Sequence, residues 1–187
     1  MAMPFPRGLL TLEDWDALPE DNSAHYELQE GVLVVSPRPA RWHSNALLAL
    51  GMQIRPQCPP GWQTLLEFEV VVDGDPFPTI RIPDILVTHA DGPEARVPAD
   101  AVVLAVEIIS PGSRKVDLHL KPFEYGEAGI PHYWVVDPDP PAPSITVFGL
   151  GAPGDGYVES QRAVTGELVV EEPFPLRIDV AALADPH

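Results

Sequence analysis

Glu107 stands in the most apolar stretch of the chain, with Val102-Val103-Leu104-Ala105-Val106 before it and Ile108-Ile109 after it. A carboxylate left unpaired in such a run costs several kcal/mol, so it must be paired, protonated or bound to a cation. On its own it leaves open a metal or catalytic role and a structural pairing with an arginine. Asp84 follows Pro83 in a strand-like segment, where aspartate is disfavoured unless its side chain has a task. Taken alone, such an aspartate is more often a turn or strand-edge residue. Lys121 is one of only two lysines and falls four residues after Asp117 and four before Tyr125, on one helix face. By itself that spacing reads as a solvated ion pair. Glu27, Glu67 and Glu69 could add to an acidic cluster, although alternating glutamates on a strand usually mark its wet face. His43, at a helix start, reads as a cap or packing residue. The remaining histidines (His25, His89, His119, His132, His187) show no His-x-x-x-His spacing and no cysteine partner, so zinc is not suggested. Gly-x-x-x-x-Gly-Lys and Gly-x-Ser-x-Gly are missing, and the Gly-x-Gly-x-x-Gly spacing of Gly149 to Gly154 falls between the strand-like runs 144–148 and 157–164 and opens no helix, which removes the main support for nucleotide binding and serine hydrolysis.

The elements that must position these residues read as mixed α/β. Thr11 to Leu18 predicts a short helix, with Thr11 as cap, Asp14 completing a capping box and Pro19 as stop. Tyr26-Glu27-Leu28 and Val32 to Val35 predict a strand pair turning at Glu30-Gly31. Leu47, Leu50 and Ile54 recur at helical spacing between Trp42 and Arg55, and Pro56 ends that helix. Thr64 to Val72 predicts one strand with Glu67 and Glu69 on one face, Asp73-Gly74-Asp75 a turn, and Pro83 to Thr88 a shorter strand. Ala101 to Ile109 is long and apolar enough for a central strand buried on both faces. Val116 to Ala128 predicts a helix ended by Gly129, with Pro122 implying a kink or a later start. Tyr133 to Val136 is a buried strand, and 144–148, 157–164 and 168–170 predict short closing strands. Pro-rich turns such as Pro138-Asp139-Pro140-Pro141 are the closest approach to low complexity.

At 187 residues, with 45% hydrophobic and 21% charged side chains, the expectation is a single folded domain. It divides into an arm with a short helix (1–25), a core (26–137) and a β-rich C-terminal extension (138–187). The 24 prolines stiffen its connections. A net charge of −17, from 28 acidic and 11 basic residues, repels polyanions on average. Any nucleic-acid contact therefore needs a local basic patch or metal ions. The lone Cys58 excludes an intrachain disulfide and fits a reducing compartment. With neither a basic leader followed by an apolar stretch nor an 18-residue apolar run, a cytoplasmic protein without a membrane span is expected.

In order along the chain stand Tyr26 to Pro37, His43, Pro83-Asp84-Ile85, Val106-Glu107-Ile108-Ile109-Ser110-Pro111, Asp117-Leu118-His119-Leu120-Lys121 and Gly129 to Asp137. A single Pro-Asp has no weight, but the series resembles the PD-(D/E)XK nuclease superfamily and, more narrowly, its bacterial Uma-type restriction-endonuclease branch, from about Tyr26 to Tyr157. The resemblance implies a restriction-endonuclease-like mixed sheet flanked by helices. It also implies Mg²⁺ or Mn²⁺ held by Asp84, Glu107 and the backbone carbonyl of Ile108, with Glu27 as an auxiliary ligand or an outer partner. The superfamily's usual lysine lies two residues after the glutamate, where this chain has Ile109. Lys121 would replace it from the helix, orienting or deprotonating water or stabilising charge on phosphorus. The implied activity is metal-dependent hydrolysis of DNA by a homodimer, with Arg38, Arg41, Arg55, Arg81, Arg96 and Arg114 available to gather near the cleft. Two other readings are a nuclease-like fold kept as a binding module, with Glu107 structurally paired, and a two-carboxylate glycosidase. The aromatic distribution does not call for the latter.

Overall fold

The computed structural model describes residues 8–19, 21, 23–138 and 142–184. The first seven residues, Asp139 to Pro141 of the proline-rich turn, and His187 lie outside them. The elements are α1 (Leu12–Asp16), β1 (His25–Gln29), β2 (Val32–Ser36), α2 (Arg41–Ile54), β3 (Trp62–Leu66), β4 (Val70–Asp73), β5 (Thr79–Arg81), β6 (Ile85–His89), β7 (Val97–Pro98) and β8 (Val102–Ile108). A π-helical turn (Val116–Leu120) then runs into α3 (Lys121–Glu127), followed by β9 (His132–Asp137), β10 (Ser144–Leu150), β11 (Tyr157–Val164), β12 (Glu167–Val170) and β13 (Leu176–Asp179).

Six strands in the order β11-β10-β9-β8-β6-β3 form the main sheet. Within this sheet only β8 and β9 pair in parallel, the geometry that requires a crossover connection, here the π-turn and α3. A second sheet has the order β2-β1-β5-β4-β7, and β12 and β13 form a hairpin. The C-terminal strands β10 and β11 thus belong to the same sheet as β8 and β9. The alternation of strand side chains divides the core. Ile85, Val87, Leu104, Val106, Ile108, Trp134 and Val136 meet α2 and the β12-β13 hairpin on one face, while Leu86, Ala105, Ile109, Tyr133 and Val135 meet Tyr125 and Ile130 on the other. Glu107 has the parity of Ala105 and Ile109, and Asp84 has that of Leu86. The fold therefore turns both acids toward the π-turn and α3.

Several boundaries follow the sequence closely. Thr11 caps α1 in a complete capping box with Asp14. Gly31 turns the first hairpin at φ +77°, where a Cβ would stand 2.9 Å from Leu10 O and from Phe77 Cβ. The strand expected over 64–72 is instead two: the chain breaks at Glu67, whose φ is 48°, and β3 and β4 enter different sheets. Glu67 and Glu69 therefore do not share one strand face. Strands β5, β7 and β13 are additional to the sequence expectation. Pro122 lies in the first turn of α3, where a missing N–H breaks none of that helix's bonds, and the preceding turn is closed by Lys121 N–H donating to Val116 O.

Candidate active site

Antiparallel register carries Asp84 to Glu107. Ile85 pairs with Val106 and Leu86 with Ala105, so extending the ladder one residue places Asp84 opposite Glu107. Like charges on opposed positions repel, which makes this a costly place for two acids unless a cation or proton lies between or beside them. Asp84 Oδ2 accepts the Ile108 N–H at 2.6 Å, and Asp84 Oδ1 lies 3.3 Å from His43 Nε2.

Glu107 is 3% exposed. Its Oε1 accepts from Tyr125 Oη at 2.8 Å and lies 2.9 Å from Lys121 Nζ. Lys121 is 7% exposed, and its Nζ also lies 3.4 Å from Glu27 Oε1 and 3.8 Å from Asp117 Oδ1. Asp117 is buried too, and its Oδ1 has no hydrogen-bond partner. The pair expected to be solvated is therefore internal. The stride of four from Asp117 to Lys121 to Tyr125 turns these side chains inward because the π-turn and α3 cover this face of the sheet.

Glu27 accepts the Ile82 N–H at 3.0 Å through Oε1 and bonds Arg81 at 3.0 Å through Oε2. Arg81 in turn grips Glu124 with two bonds of 2.7 and 2.6 Å, so its charge is already matched. One lysine then faces Glu27, Glu107 and Asp117, with Asp84 next to Glu107 and paired with His43 instead. Burial pushes the Glu107 carboxyl well above its ordinary range; Lys121 pulls it down, while Asp84, Asp117 and Glu27 push it further up. Burial likewise raises Asp117 against the pull of Lys121 and Ser113. Burial alone would raise Glu27, but Lys121, Arg81 and the Ile82 N–H outweigh it and hold it low. Lys121 itself is desolvated, yet Glu107, Glu27 and Asp117 raise its pKa, so it stays an ammonium.

These groups line a cleft of about 620 Å³ whose walls are β2, the 37–43 segment and the 110–113 loop. Glu67 reaches this cleft, whereas Glu69 does not; Glu69 binds Arg96 at 3.1 Å and Trp15 Nε1 at 3.2 Å. His43 is not a cap, because Ala40 is the N-cap of α2 and has no side-chain bond. Desolvation lowers the His43 pKa, but the Asp84 carboxylate, Glu67 and the Ile108 carbonyl outweigh it and raise it. The six arginines do not gather as expected. Arg38 and Arg81 line the cleft, Arg81 is held by Glu27 and Glu124, Arg96 is tied to Asp16 and Glu69, and Arg114 lies 2.9 Å from Asp137. Tyr125 and Glu124 are site members that the sequence reading did not single out, and His43 and Asp117 are members it read as structural or solvated. The four-residue spacing already signalled Tyr125, while the bond between Arg81 and Glu124 has no sequence signature.

Glu107→Gln is expected to stabilise the metal-free protein at neutral pH. The amide oxygen still accepts from Tyr125 and Lys121, and Lys121 keeps Glu27 and Asp117. An acid whose folded pKa is raised loses stability as pH climbs from its ordinary value of 4.5 through its folded value. Each unit of that shift corresponds to about 1.4 kcal/mol. Thermal unfolding in EDTA should show the variant melting about 3 °C or more higher at pH 8, with the gap closing toward pH 4. A variant that melts lower at pH 8 contradicts the account of this carboxylate.

Comparison with known proteins agrees with this architecture. A crystal structure at 1.96 Å of "a putative nuclease belonging to DUF820" from Anabaena variabilis ATCC 29413 matches with a TM-score of 0.69 at 22% identity, covering 93% of this chain and 97% of that one. The two share a mixed α/β fold. The sequence model of the Uma2 family, described as "Putative restriction endonuclease", matches residues 12–182. The chain belongs to the Uma2 family. A search of curated proteins found no match. Among the described residues no helix is long and apolar enough to cross a membrane.

Proposed function

We propose that the protein is a divalent-metal-dependent endonuclease hydrolysing phosphodiester bonds in DNA, a single domain acting as a symmetric pair of chains. The observation that carries this reading is the juxtaposition of Asp84 and Glu107 with a buried lysine in a cleft open to solvent. The donor set suits a hard cation: carboxylates in surplus over their one lysine, an Asp117 oxygen without a hydrogen-bond partner, and the Ile108 carbonyl beside them. Among the described residues no three His, Cys, Asp or Glu side chains already form a metal-holding group. A site of two carboxylates and a carbonyl fits Mg²⁺, which keeps several waters and takes substrate oxygens. Asp84, Glu107 and the Ile108 carbonyl would hold the ion, with Glu27 outside them keeping Lys121 and Arg81 in place. When bound, Mg²⁺ or Mn²⁺ supplies charge that polarises the phosphate and acidifies water. Lys121, beside Glu107 at 2.9 Å, stabilises negative charge on the phosphate oxygens and orients water.

One observation favours the alternative of a silent binding module: Glu107 Oε1 is already engaged by both Tyr125 and Lys121. Nicking of supercoiled plasmid decides between the two. The proposal predicts conversion to open circles with Mg²⁺ or Mn²⁺ and none in EDTA. Intact plasmid with either metal, under conditions where the protein is folded, sinks the hydrolytic reading.

A further inference from the structure

The chain carries 28 acidic residues among 187, about one in seven, yet none of the 36 residues from Gly31 to Leu66 is acidic. The same segment holds Arg38, Arg41 and Arg55. In the fold it becomes β2, the 37–40 connection, α2 and β3, and the first three of these form one wall of the cleft through Val34, Val35, Pro37, Arg38, Pro39 and Trp42. The 110–113 rim is also free of acids and leads into Arg114, whose charge Asp137 pairs at 2.9 Å, and the exposed Lys115. An acidic floor therefore lies between neutral to basic walls in a strongly acidic protein. Along those walls a polyanion meets less of the general repulsion.

The composition of the near wall selects among polyanions. Duplex DNA hides its base faces and is held mainly through phosphates, with about 6–10 cationic contacts typical of a tight complex. Here the near wall carries one exposed arginine, Arg38, with the exposed Arg41 beside Trp42 in the chain, and is otherwise made largely of valines, prolines and an indole. Trp42 is 37% exposed and stands edge-on to His43, at 5.8 Å between ring centroids. An aromatic at a cleft mouth flanked by arginines suits an unpaired base, whose π-face is open to stacking while its neighbouring phosphates are held by charge. The reactive floor is recessed, since Glu107 and Lys121 are almost fully covered. A thin strand fits a cleft of about 620 Å³ better than a duplex does.

We infer that the cleft takes unpaired polynucleotide, with a base stacked on Trp42 and flanking phosphates on Arg38 and Arg41. The inference deepens the hydrolytic reading and rests on it for the task of the floor. It is tested without catalysis so that the two can fail separately. Fluorescence anisotropy in EDTA would compare a labelled 20-nucleotide single-stranded DNA, the same sequence as RNA, and the perfect DNA duplex, on the full chain. The expected result is at least about tenfold tighter binding of a single strand than of the duplex, the tighter of the two single strands identifying the sugar. Trp42→Leu should weaken single-strand binding about tenfold while Trp42→Phe stays near wild type, which separates stacking from folding. Arg38→Ala should reduce the slope of log affinity against log salt by about 0.7. Equal or tighter duplex binding, or an unchanged Trp42→Leu, overturns the inference whether or not plasmid is nicked. Single-strand preference without nicking keeps it and removes the hydrolytic reading.

Discussion

Lys121→Met should cost about 3–5 kcal/mol of stability at pH 8, a fall in melting temperature of roughly 6–20 °C, because it breaks a buried ion cluster from its cationic side. Methionine fills much of the same volume, so the loss measures charge. Glu27 retains Arg81 and the Ile82 N–H, but Glu107 is left with the Tyr125 hydroxyl and Asp117 with Ser113. Both of those carboxyls already have raised pKa values, and removal of the nearest positive charge raises them further. Acids so shifted lose stability as pH rises through their folded values and regain it as they take up protons. The deficit of Lys121→Met should accordingly shrink between pH 8 and pH 5. In the wild type, Lys121 contributes over the whole range below its ordinary value of 10.5. A pH-independent loss would mean that packing, not charge, is what Lys121 supplies.

Asp84→Asn and Glu107→Gln should each reduce nicking at least about 100-fold, the upper end of what outer partners of a metal site cost. The amides isolate charge from structure. Asparagine can still accept the Ile108 N–H that Asp84 takes at 2.6 Å, whereas alanine would leave that amide unsatisfied at about 1–3 kcal/mol. Glutamine likewise keeps the Tyr125 bond. Both variants should therefore fold, and Glu107→Gln should melt above wild type in the absence of metal while losing activity. A residue retained at a cost in stability and needed for turnover is the pattern of a functional site.

The sequence made the floor of the cleft legible through one regularity and one resemblance. A carboxylate in an apolar strand must have a partner, and the ordered series that resembles a nuclease site named Asp84 as its neighbour; the antiparallel register that brings the two together shows only in the fold. Strand β8 and helix α2 were visible in their hydrophobic spacing, and Pro122 marked the place where a π-turn gives way to α3. What stayed hidden depends on distant pieces of chain. The break at Glu67 has no glycine to mark it, and β5 and β7 are too short to show a period. The Arg81 clamp joins β5 to α3 across 43 positions. His43 read as a packing residue because nothing local shows that α2 delivers it to Asp84. The pair Asp117 and Lys121 read as solvated because helix spacing gives a face but not what covers it.

Calorimetric titration of Mn²⁺ into wild type, Asp84→Asn and Glu107→Gln tests the central claim most directly, since it asks whether these two acids together hold a cation. The prediction is one class of site in the wild-type chain, lost in both variants while each remains folded. An absence of binding to wild type, or binding unchanged in the variants, would contradict it.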